Sequence, residues 1–413
     1  MRKESPRVPP ALSAWIAELA SVWPKLSRPQ IKVLAEYSAG MILAEGSGLS
    51  RVSFCLAKWL GQSEQTVRER LRDFYCSRQD KSGRQRRELV VEQCFSGLLG
   101  WILSLWQGDQ LALAMDATSL GERLVVLAIS VVYRGSAIPV AWKILPANGK
   151  GSWKPHWLRL LRLLKDVVPP SMQVIVMADR GLYAKWLFKA IVELHWHPFL
   201  RINGQNAEFR PAPTGRYQAV RGLVKIKDQA YVQRGTLFRG PSARIDCTLV
   251  GCWTEGYTDP WLIATDLPAD EAEPAWYGLR AWIERGFKHA KSGGLRWQNT
   301  RMSDPQRSER LWLVMAVSQM WAMRQGSAQF EQRPTPTAAA PMQPKRCKRR
   351  ATASAQPKRR YPVLSVFLTG LLLTRLLLCA GVVRPGRYGL TPTPWPTGLP
   401  TCSAVPQTQP RPP

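Results

Sequence analysis

Three acidic side chains, far apart along the chain, are the groups best suited to carry chemistry. Asp116 follows the apolar run LALAM, Asp179 follows the apolar run VIVMA, and Glu284 lies within residues 274–294, PAWYGLRAWIERGFKHAKSGG. Two aspartates and a glutamate from separate elements are a suitable ligand set for two Mg²⁺ or Mn²⁺ ions, hard cations that take oxygen ligands. Two such ions, about 4 Å apart, activate an attacking water or 3′-hydroxyl and stabilise the leaving oxygen of an in-line displacement. The set predicts metal-dependent phosphodiester chemistry.

The segment around Glu284 predicts one helix over residues 274–294, with a proline in its first turn and two glycines at its exit. At about 100° per residue, the spacings +3, +4 and +7 place Tyr277, Arg280, Glu284 and Lys291 on one narrow stripe. The opposite face is apolar and is predicted to pack on the core: Trp276, Leu279, Trp282, Ile283, Phe287, Ala290. A carboxylate beside two cations and a phenol suits a metal ion together with phosphodiester oxygens.

Each acid alone also has an ordinary structural reading. An aspartate at a strand end commonly caps a turn or a helix. Glu284 on a solvated helix face would pair with Arg280 or Lys288 at helical spacing. The order of elements is the reason to join the two aspartates, because it makes the first and fourth strands neighbours in one sheet.

That order begins near Leu111, where the apolar spacing changes from helical to strand-like. Strand-like runs LALAMDATSL, RLVVLAISVVY and AIPVAWKIL come first, the last two joined by the short turn RGS. The helical run KPHWLRLLRLLKDVV, the strand VIVMA, the helix AKWLFKAIVELHW and the strand PFLRIN follow. The resulting order, β-β-β-α-β-α-β, predicts an α/β fold with a ribonuclease-H-like mixed sheet and helices on its faces. Residues 203–268 read as strands without a helix, either a β-rich insertion or a longer sheet edge.

The two ends of the chain differ from this centre. Residues 28–75 read as short helices, and EQTVRERLRDF follows a turn as a recognition helix would, with Arg68, Arg70 and Arg72 available to phosphates. A helical bundle with ordinary surface arginines is the alternative. Beyond residue 325 the chain is rich in Pro, Ala and cations and reads as a basic, loose tail. Residues 361–383 are apolar, but Arg375 would be costly in lipid, which favours a packed or partner-binding helix over a membrane span.

Composition sets the class of partner. The 413 residues include 58 Lys and Arg against 29 Asp and Glu, a formal charge of +29. Such an excess predicts a polyanionic partner, and its spread along the chain favours nucleic acid over an acidic membrane surface. A merely basic soluble or ribosomal protein is the alternative. Eight cysteines without a C-x2-C pair predict reduced thiols, and the N-terminal residues lack the apolar run of a signal peptide. We therefore expect a cytoplasmic, nucleoid-associated protein.

Four motifs together resemble those of bacterial insertion-sequence DDE transposases, in the branch with a Y-x2-R-x3-E-x6-K signature. They are MDATS around Asp116, ADRGLY around Asp179, WLIATDLP, and the stripe from Tyr277 to Lys291, and the resemblance spans residues 28–324. It implies cleavage at the ends of a mobile element and joining of 3′-hydroxyls to target DNA, with a homodimer expected when two ends are brought together.

The resemblance also assigns roles to residues. It implies that Asp116, Asp179 and Glu284 are catalytic and bind Mg²⁺ or Mn²⁺, and that Tyr277, Arg280 and Lys291 contact DNA near the scissile phosphate. The predicted division is a helical, DNA-binding part (1–100), the first part of the catalytic core (101–202), the β-rich insertion (203–268), the C-terminal helices of the core (269–324), and a largely disordered tail with one apolar helix (325–413).

Two other functions stay open at this point. One is a ribonuclease-H-like nuclease that cuts without joining. The other is an inactive DNA-binding remnant of a transposase, because the tail beyond residue 325 departs from the family pattern.

Overall fold

The computed structural model describes residues 8–81, 87–227, 229–253, 258–331, 364–382 and 388–398. Within these ranges the chain forms ten α-helices and ten strands around one extended sheet. The helices are α1 (Pro10–Val22), α2 (Arg28–Ala44), α3 (Leu49–Leu60), α4 (Glu64–Tyr75), α5 (Glu92–Leu105), α6 (Lys154–Lys165), α7 (Lys185–Val192), α8 (Trp282–Lys291), α9 (Pro305–Glu331) and α10 (Val366–Cys379). The strands are β1 (Gln110–Leu120), β2 (Leu124–Tyr133), β3 (Ser136–Pro146), β4 (Gln173–Ala178), β5 (His197–Arg201), β6 (Glu208–Pro211), β7 (Gln218–Ala219), β8 (Ala230–Leu237), β9 (Ile245–Cys252) and β10 (Trp261–Thr265).

All ten strands belong to a mixed sheet with the order β3-β2-β1-β4-β5-β10-β9-β8-β6-β7. The pairs β1/β4 and β4/β5 are parallel, and the other pairs are antiparallel. The strands β1–β5 with α6 and α7 follow one another in the predicted order β-β-β-α-β-α-β. The mixed α/β class is confirmed, and the predicted adjacency of the first and fourth strands is what the β1/β4 pairing shows.

The β2–β3 hairpin has a reason in its two turn residues. Tyr133 pairs with Ser136, so the turn consists of Arg134 and Gly135, which have positive φ angles of 42° and 77°. Two positive φ angles match the right-handed twist of the flanking strands, and glycine adopts the second one without strain. The predicted RGS turn is therefore found as a tight hairpin.

Residues 203–268 contribute β6–β10, which extend the sheet beyond β5. β10 pairs with β5 through Ile263 and Arg201, and β9 and β8 follow in antiparallel register. This segment thus shares one continuous hydrogen-bonded sheet with the strands that carry the aspartates.

The helices α1–α4 account for residues 10–75, and one of their arginines differs from the expectation. The Arg70 Nε lies 2.8 Å from a carboxylate oxygen of Glu36, whose side chain is almost fully buried on α2. A buried carboxylate needs such a partner. The prediction that Arg70 is available to phosphates is wrong for this reason, whereas Arg72 is 57% exposed.

The last two helices, α9 with 27 residues and α10 with 14, pack on each other, and α9 also packs on β3. Asp304 accepts a hydrogen bond from the Arg307 amide at 2.7 Å, and Pro305 starts α9, as the sequence predicts. α10 packs so closely on α9 that a Cβ on Gly370 would lie 1.7 Å from the Ala322 carbonyl oxygen. Arg375 on α10 pairs with Glu45. No helix among the described residues is long and apolar enough to cross a membrane.

The tail is only partly as expected. The basic stretch 332–363 and residues 399–413 lie outside the described residues. Residues 388–398, predicted to be loose, instead lie against the core: Leu390 is fully buried and forms a parallel bridge with Trp106. Leu390 therefore anchors this segment to the core. The surrounding Pro and Thr residues gave no apolar pattern from which this could be predicted.

Candidate active site

Parallel pairing of β1 and β4 brings the two aspartates together. The last pair of the β1/β4 register joins Met115 to Ala178, so Asp116 and Asp179 are the next residues on each strand. Asp116 does not end its strand as expected, because β1 continues to Leu120 on the β2 side, where Asp116 faces Ala128. Both carboxylates therefore lie at the same edge of the sheet, one residue beyond the last β1/β4 pair.

The two aspartates are held differently. Asp116 Oδ1 accepts a hydrogen bond from the Ala117 amide at 2.8 Å, and its Oδ2 faces away from that amide toward Arg280. Asp179 Oδ1 accepts from the Gly181 amide at 2.9 Å, the turn-capping contact that sequence alone also allows. Its second oxygen, Oδ2, takes no part in that turn and is directed to the same arginine.

The predicted helix over 274–294 is divided in two. Residues Pro274–Ala281 form a 3₁₀ helix, which begins after Glu273, whose side chain accepts a hydrogen bond from the Ala275 amide at 3.5 Å; α8 then runs from Trp282 to Lys291. The apolar face packs inward as predicted, with Ile283 fully buried. The division leaves Arg280 at the end of the 3₁₀ helix and Glu284 in the first turn of α8.

Arg280 is the point at which the three acids meet. Its Nη2 lies 2.8 Å from Asp116 Oδ2 and 3.5 Å from Asp179 Oδ2, and its Nη1 lies 2.9 Å from Glu284 Oε1. One guanidinium thus contacts Asp116, Asp179 and Glu284, which we call the acidic cluster. Residues that are remote in sequence are within a few ångströms of one cation.

The electrostatics of the cluster follow from uneven burial. The side chain of Asp116 is 17% exposed, against 37% for Asp179 and 48% for Glu284. Burial raises the pKa of Asp116 to about 6, the Arg280 charge and the Ala117 amide oppose this rise, and the other two acids add to it. Burial alone would lower the pKa of Arg280, but the neighbouring carboxylates raise it on balance. Arg280 therefore neutralises only part of the negative charge that it contacts.

The remaining stripe residues lie close to the cluster in different ways. Tyr277 is 4% exposed, and its hydroxyl donates to the carbonyl oxygen of Ala178 at 3.3 Å. Burial raises the pKa of Tyr277 well above its ordinary value. Lys291 is half-buried at the end of α8, where burial lowers its pKa and the Asp116 charge opposes that shift. The phenol is thus bound to the chain itself, next to Asp179, and a direct contact of Tyr277 with DNA stays a prediction.

The donor set can be tested against a divalent metal ion. Among the described residues, no three acidic, His or Cys side chains are spaced to hold an ion as they stand. The acidic cluster nevertheless presents three carboxylates to one positive charge, and carboxylate oxygens are the ligands that Mg²⁺ and Mn²⁺ take. The residues fit such an ion in chemistry and in charge, provided that the Arg280 guanidinium gives up its place.

A basic cavity that sequence reasoning missed adjoins the cluster. It has a volume of about 240 Å³, and its polar lining consists of three arginines, two amides, a threonine and one carboxylate: Arg180, Arg201, Arg221, Asn203, Gln205, Thr258 and Asp259. Arg180 directly follows Asp179, so the cavity begins one residue from the acids. Only Arg180 lies in a sequence motif, ADRGLY around Asp179, whereas Arg201 and Arg221 come from separate segments without one.

One comparison with known proteins bears on this site. Residues 121–321 match the family model described as "Transposase DDE domain", a stretch that includes Asp179 and Glu284 and begins just after Asp116. The match supports a DDE transposase. None of the curated proteins matches the chain. A cryo-EM structure of the piggyBac transposase synaptic complex with hairpin DNA matches with 10% identity and a TM-score of 0.35, over 75% of this chain and 78% of that chain.

Proposed function

We propose that this protein is the DNA transposase of a bacterial insertion sequence, which cleaves the ends of its element and joins the 3′-hydroxyls to target DNA. The observation that carries the proposal is the convergence of Asp116, Asp179 and Glu284 on one cation. The match of residues 121–321 to a transposase DDE domain supports it.

Asp116, Asp179 and Glu284 would hold Mg²⁺ or Mn²⁺, in a pair of ions. When bound, such ions activate the attacking hydroxyl and stabilise the leaving oxygen of the displacement. Asp116 is the most buried of the three acids, so its charge is the one that most needs a cation. We expect it to contribute most to metal affinity.

Arg280 would alternate between two partners, the acidic cluster and a DNA phosphodiester. Without metal its guanidinium neutralises part of the negative charge of the acidic cluster. With metal bound, its planar donors would be free for a phosphodiester, which a guanidinium binds well. Lys291, at the end of α8, adds a second cation near the scissile phosphate. Tyr277 fixes the segment to Ala178 through its hydroxyl, and a contact of its ring with DNA would require the buried side chain to become accessible.

The basic cavity supplies a further contact for the strand next to the cut. Three arginines and two amides suit a phosphate and the polar edges of a base. The formal charge of +29 suits a long duplex bound along the surface, including the two element ends held by a homodimer during synapsis.

The same proposal assigns the protein to one branch of the DDE transposases. The spacing of Tyr277, Arg280, Glu284 and Lys291 favours the branch with the Y-x2-R-x3-E-x6-K signature. The strands β1–β5 with α6 and α7 would form a ribonuclease-H-like catalytic core, and α1–α4 a DNA-binding part.

Strand cleavage tests the proposal. The substrate is a plasmid that carries the inverted repeats flanking the gene, with Mg²⁺, Mn²⁺ or EDTA. We expect metal-dependent nicks at the repeat ends for the wild type, and a loss of about 10³-fold or more for Asp116→Ala, Asp179→Ala or Glu284→Ala. Glu271→Ala, an exposed acid outside the cluster, is the matched control and keeps full activity. Full activity of any cluster variant contradicts the assignment.

A second assay separates joining from cutting. Pre-cleaved ends with free 3′-hydroxyls are incubated with a supercoiled target plasmid, and joined products are counted. A transposase joins them, a nuclease of the same fold only cuts, and an inactive remnant binds the ends without either product.

A further inference from the structure

Residues 388–398, which we call the C-terminal strap, cross the fold beside the segment that carries Arg280. The strap begins with backbone pairing: the Leu390 amide donates to the Leu105 carbonyl oxygen at 2.6 Å, and the Gln107 amide donates to the Leu390 carbonyl oxygen at 3.0 Å. These bonds attach it to the loop between α5 and β1.

Side chains hold the next residue of the strap. The Arg134 Nε donates to the Thr391 carbonyl oxygen at 2.8 Å, and the Thr391 hydroxyl lies 2.8 Å from Glu331 Oε1 at the end of α9. The strap is thus joined to the β2–β3 turn and to α9 as well. These contacts fix its position at Thr391, four residues before Trp395.

Trp395, which is half-buried, then lines a small cleft beside the 3₁₀ helix. Its ring meets that of Trp276 in a T-shaped contact, with ring centroids 4.8 Å apart, and the cleft is also lined by Leu279 and Trp282. Aromatic pairs in this geometry contribute beyond the area that they bury. Trp395 therefore packs on the outer side of the helix whose last turn contains Arg280.

The inner side of the same helix faces the acids. On that side Tyr277 donates to the Ala178 carbonyl oxygen, and Arg280 contacts all three carboxylates, while Trp276 contacts both Phe199 of β5 and Trp395 of the strap. A 3₁₀ helix has weaker hydrogen-bond geometry than an α-helix and needs packing to keep its shape. The strap supplies packing on the side that the sheet does not cover.

We propose that Trp395 is a positioning residue, which holds the 3₁₀ helix Pro274–Ala281 against the sheet and so places Arg280 and Glu284 over Asp116 and Asp179. The part of this inference that concerns DNA cleavage rests on the proposed function. The part that concerns the position of the helix does not. The C-terminal strap, which lies in the part of the chain that departs from the pattern of the resembling family, thereby becomes a working part of the site.

Hydrogen exchange tests the position of the helix without any substrate. The full chain is compared with Trp395→Ala, with the conservative Trp395→Phe, and with Trp153→Ala, in which a tryptophan 38% exposed before α6 is removed. We expect amide exchange across residues 274–285 to be at least about tenfold faster in Trp395→Ala, near wild type in Trp395→Phe, and unchanged in Trp153→Ala. Unchanged protection of β8 and β9 in the same samples shows that the variant is folded.

Cleavage then tests the consequence. For Trp395→Ala we expect a rate lower on the order of tenfold or more, and a higher Mg²⁺ concentration for half-maximal rate, with rescue by phenylalanine. The inference would be overturned if Trp395→Ala exchanged its amides at residues 274–285 as slowly as the wild type and needed the same Mg²⁺ concentration for half-maximal rate. If the wild type cuts no DNA while Trp395→Ala still loses protection at residues 274–285, the positioning role stands and the proposed function fails.

Discussion

Arg280 is the residue on which the state of the site depends, because one guanidinium contacts three carboxylates. A protein cation and a metal ion compete for the same negative charge in such an arrangement. Metal binding and arginine placement are thus linked, and the metal-free protein keeps its acids close together without an ion.

Replacement of Arg280 by glutamine removes the competing cation. We expect Mn²⁺ to bind the variant more tightly, by roughly tenfold, which corresponds to about 1.4 kcal/mol of binding free energy. Isothermal titration calorimetry with Mn²⁺ measures the change. Lys288→Gln removes the same charge from an exposed position of α8 and serves as the control. Weaker Mn²⁺ binding by the Arg280 variant would show that the arginine supports the metal site and does not compete for it.

Asp116 gives a pH signature in the metal-free protein. Its pKa is raised to about 6 in the folded state, chiefly by burial. A raised pKa means that the folded state holds the proton more tightly than the unfolded state. The corresponding stability is present below pH 4 and is lost as the pH rises through 6.

Asp116→Asn stays neutral and keeps that stability. The difference in free energy of unfolding between the variant and the wild type should therefore grow from pH 4 to pH 7, in favour of the variant. At about 1.4 kcal/mol per pKa unit it should reach about 3 kcal/mol. Urea unfolding in EDTA across this pH range provides the measurement. Parallel stability curves for the two proteins would contradict the assigned burial of the carboxylate.

At the scale of elements, the apolar runs and their order were enough to predict β1–β5, α6 and α7, and therefore the pairing that brings Asp116 and Asp179 together. The position of Asp116 was predicted less well. β1 pairs with β4 only as far as Met115, but it stays paired with β2 to Leu120, so Asp116 lies within the strand and not at its end. The 3₁₀ helix before Glu284 was missed because helical spacing at 100° per residue does not separate a 3₁₀ segment from an α-helix.

The packing of α10 on α9 depends on glycine. Gly370→Ala places a Cβ at 1.7 Å from the Ala322 carbonyl oxygen, so the helices must move apart. We expect a loss of about 1–3 kcal/mol in the free energy of unfolding, as in other overpacked contacts. Denaturant unfolding checks this value. Leu376→Ala, 66% exposed on the same helix, should change stability little. An unchanged Gly370→Ala protein would mean that α10 does not pack here.

The C-terminal strap shows what sequence could not predict. Leu390 and Trp395 stand among Pro, Thr and Gly residues without strand or helix periodicity. Their partners, Trp106 and Trp276, lie far away along the chain. A single aromatic contact of this kind leaves no pattern in either partner segment, and only the folded chain reveals it. The same holds for Arg201 and Arg221 of the basic cavity.

At the scale of the whole molecule, the formal charge of +29 predicts DNA binding that weakens steeply with salt. Each phosphate contact adds about 0.9 to the slope of log K against log salt concentration. For Arg221→Gln, in the basic cavity, we expect this slope to fall by about 1 in fluorescence anisotropy with duplex DNA. Arg159→Gln, an arginine that pairs with Glu92 on the surface, is the comparison. Equal slopes in both variants would remove the cavity from the DNA interface.

The central claim is that Asp116, Asp179 and Glu284 bind divalent metal together. Electron paramagnetic resonance of Mn²⁺ titrated into the wild type, Asp116→Asn, Asp179→Asn and Glu284→Gln tests it directly. We predict saturable binding to the wild type and at least roughly tenfold weaker binding to each variant, because each loses one carboxylate ligand. Unchanged Mn²⁺ binding in all three variants would contradict the account.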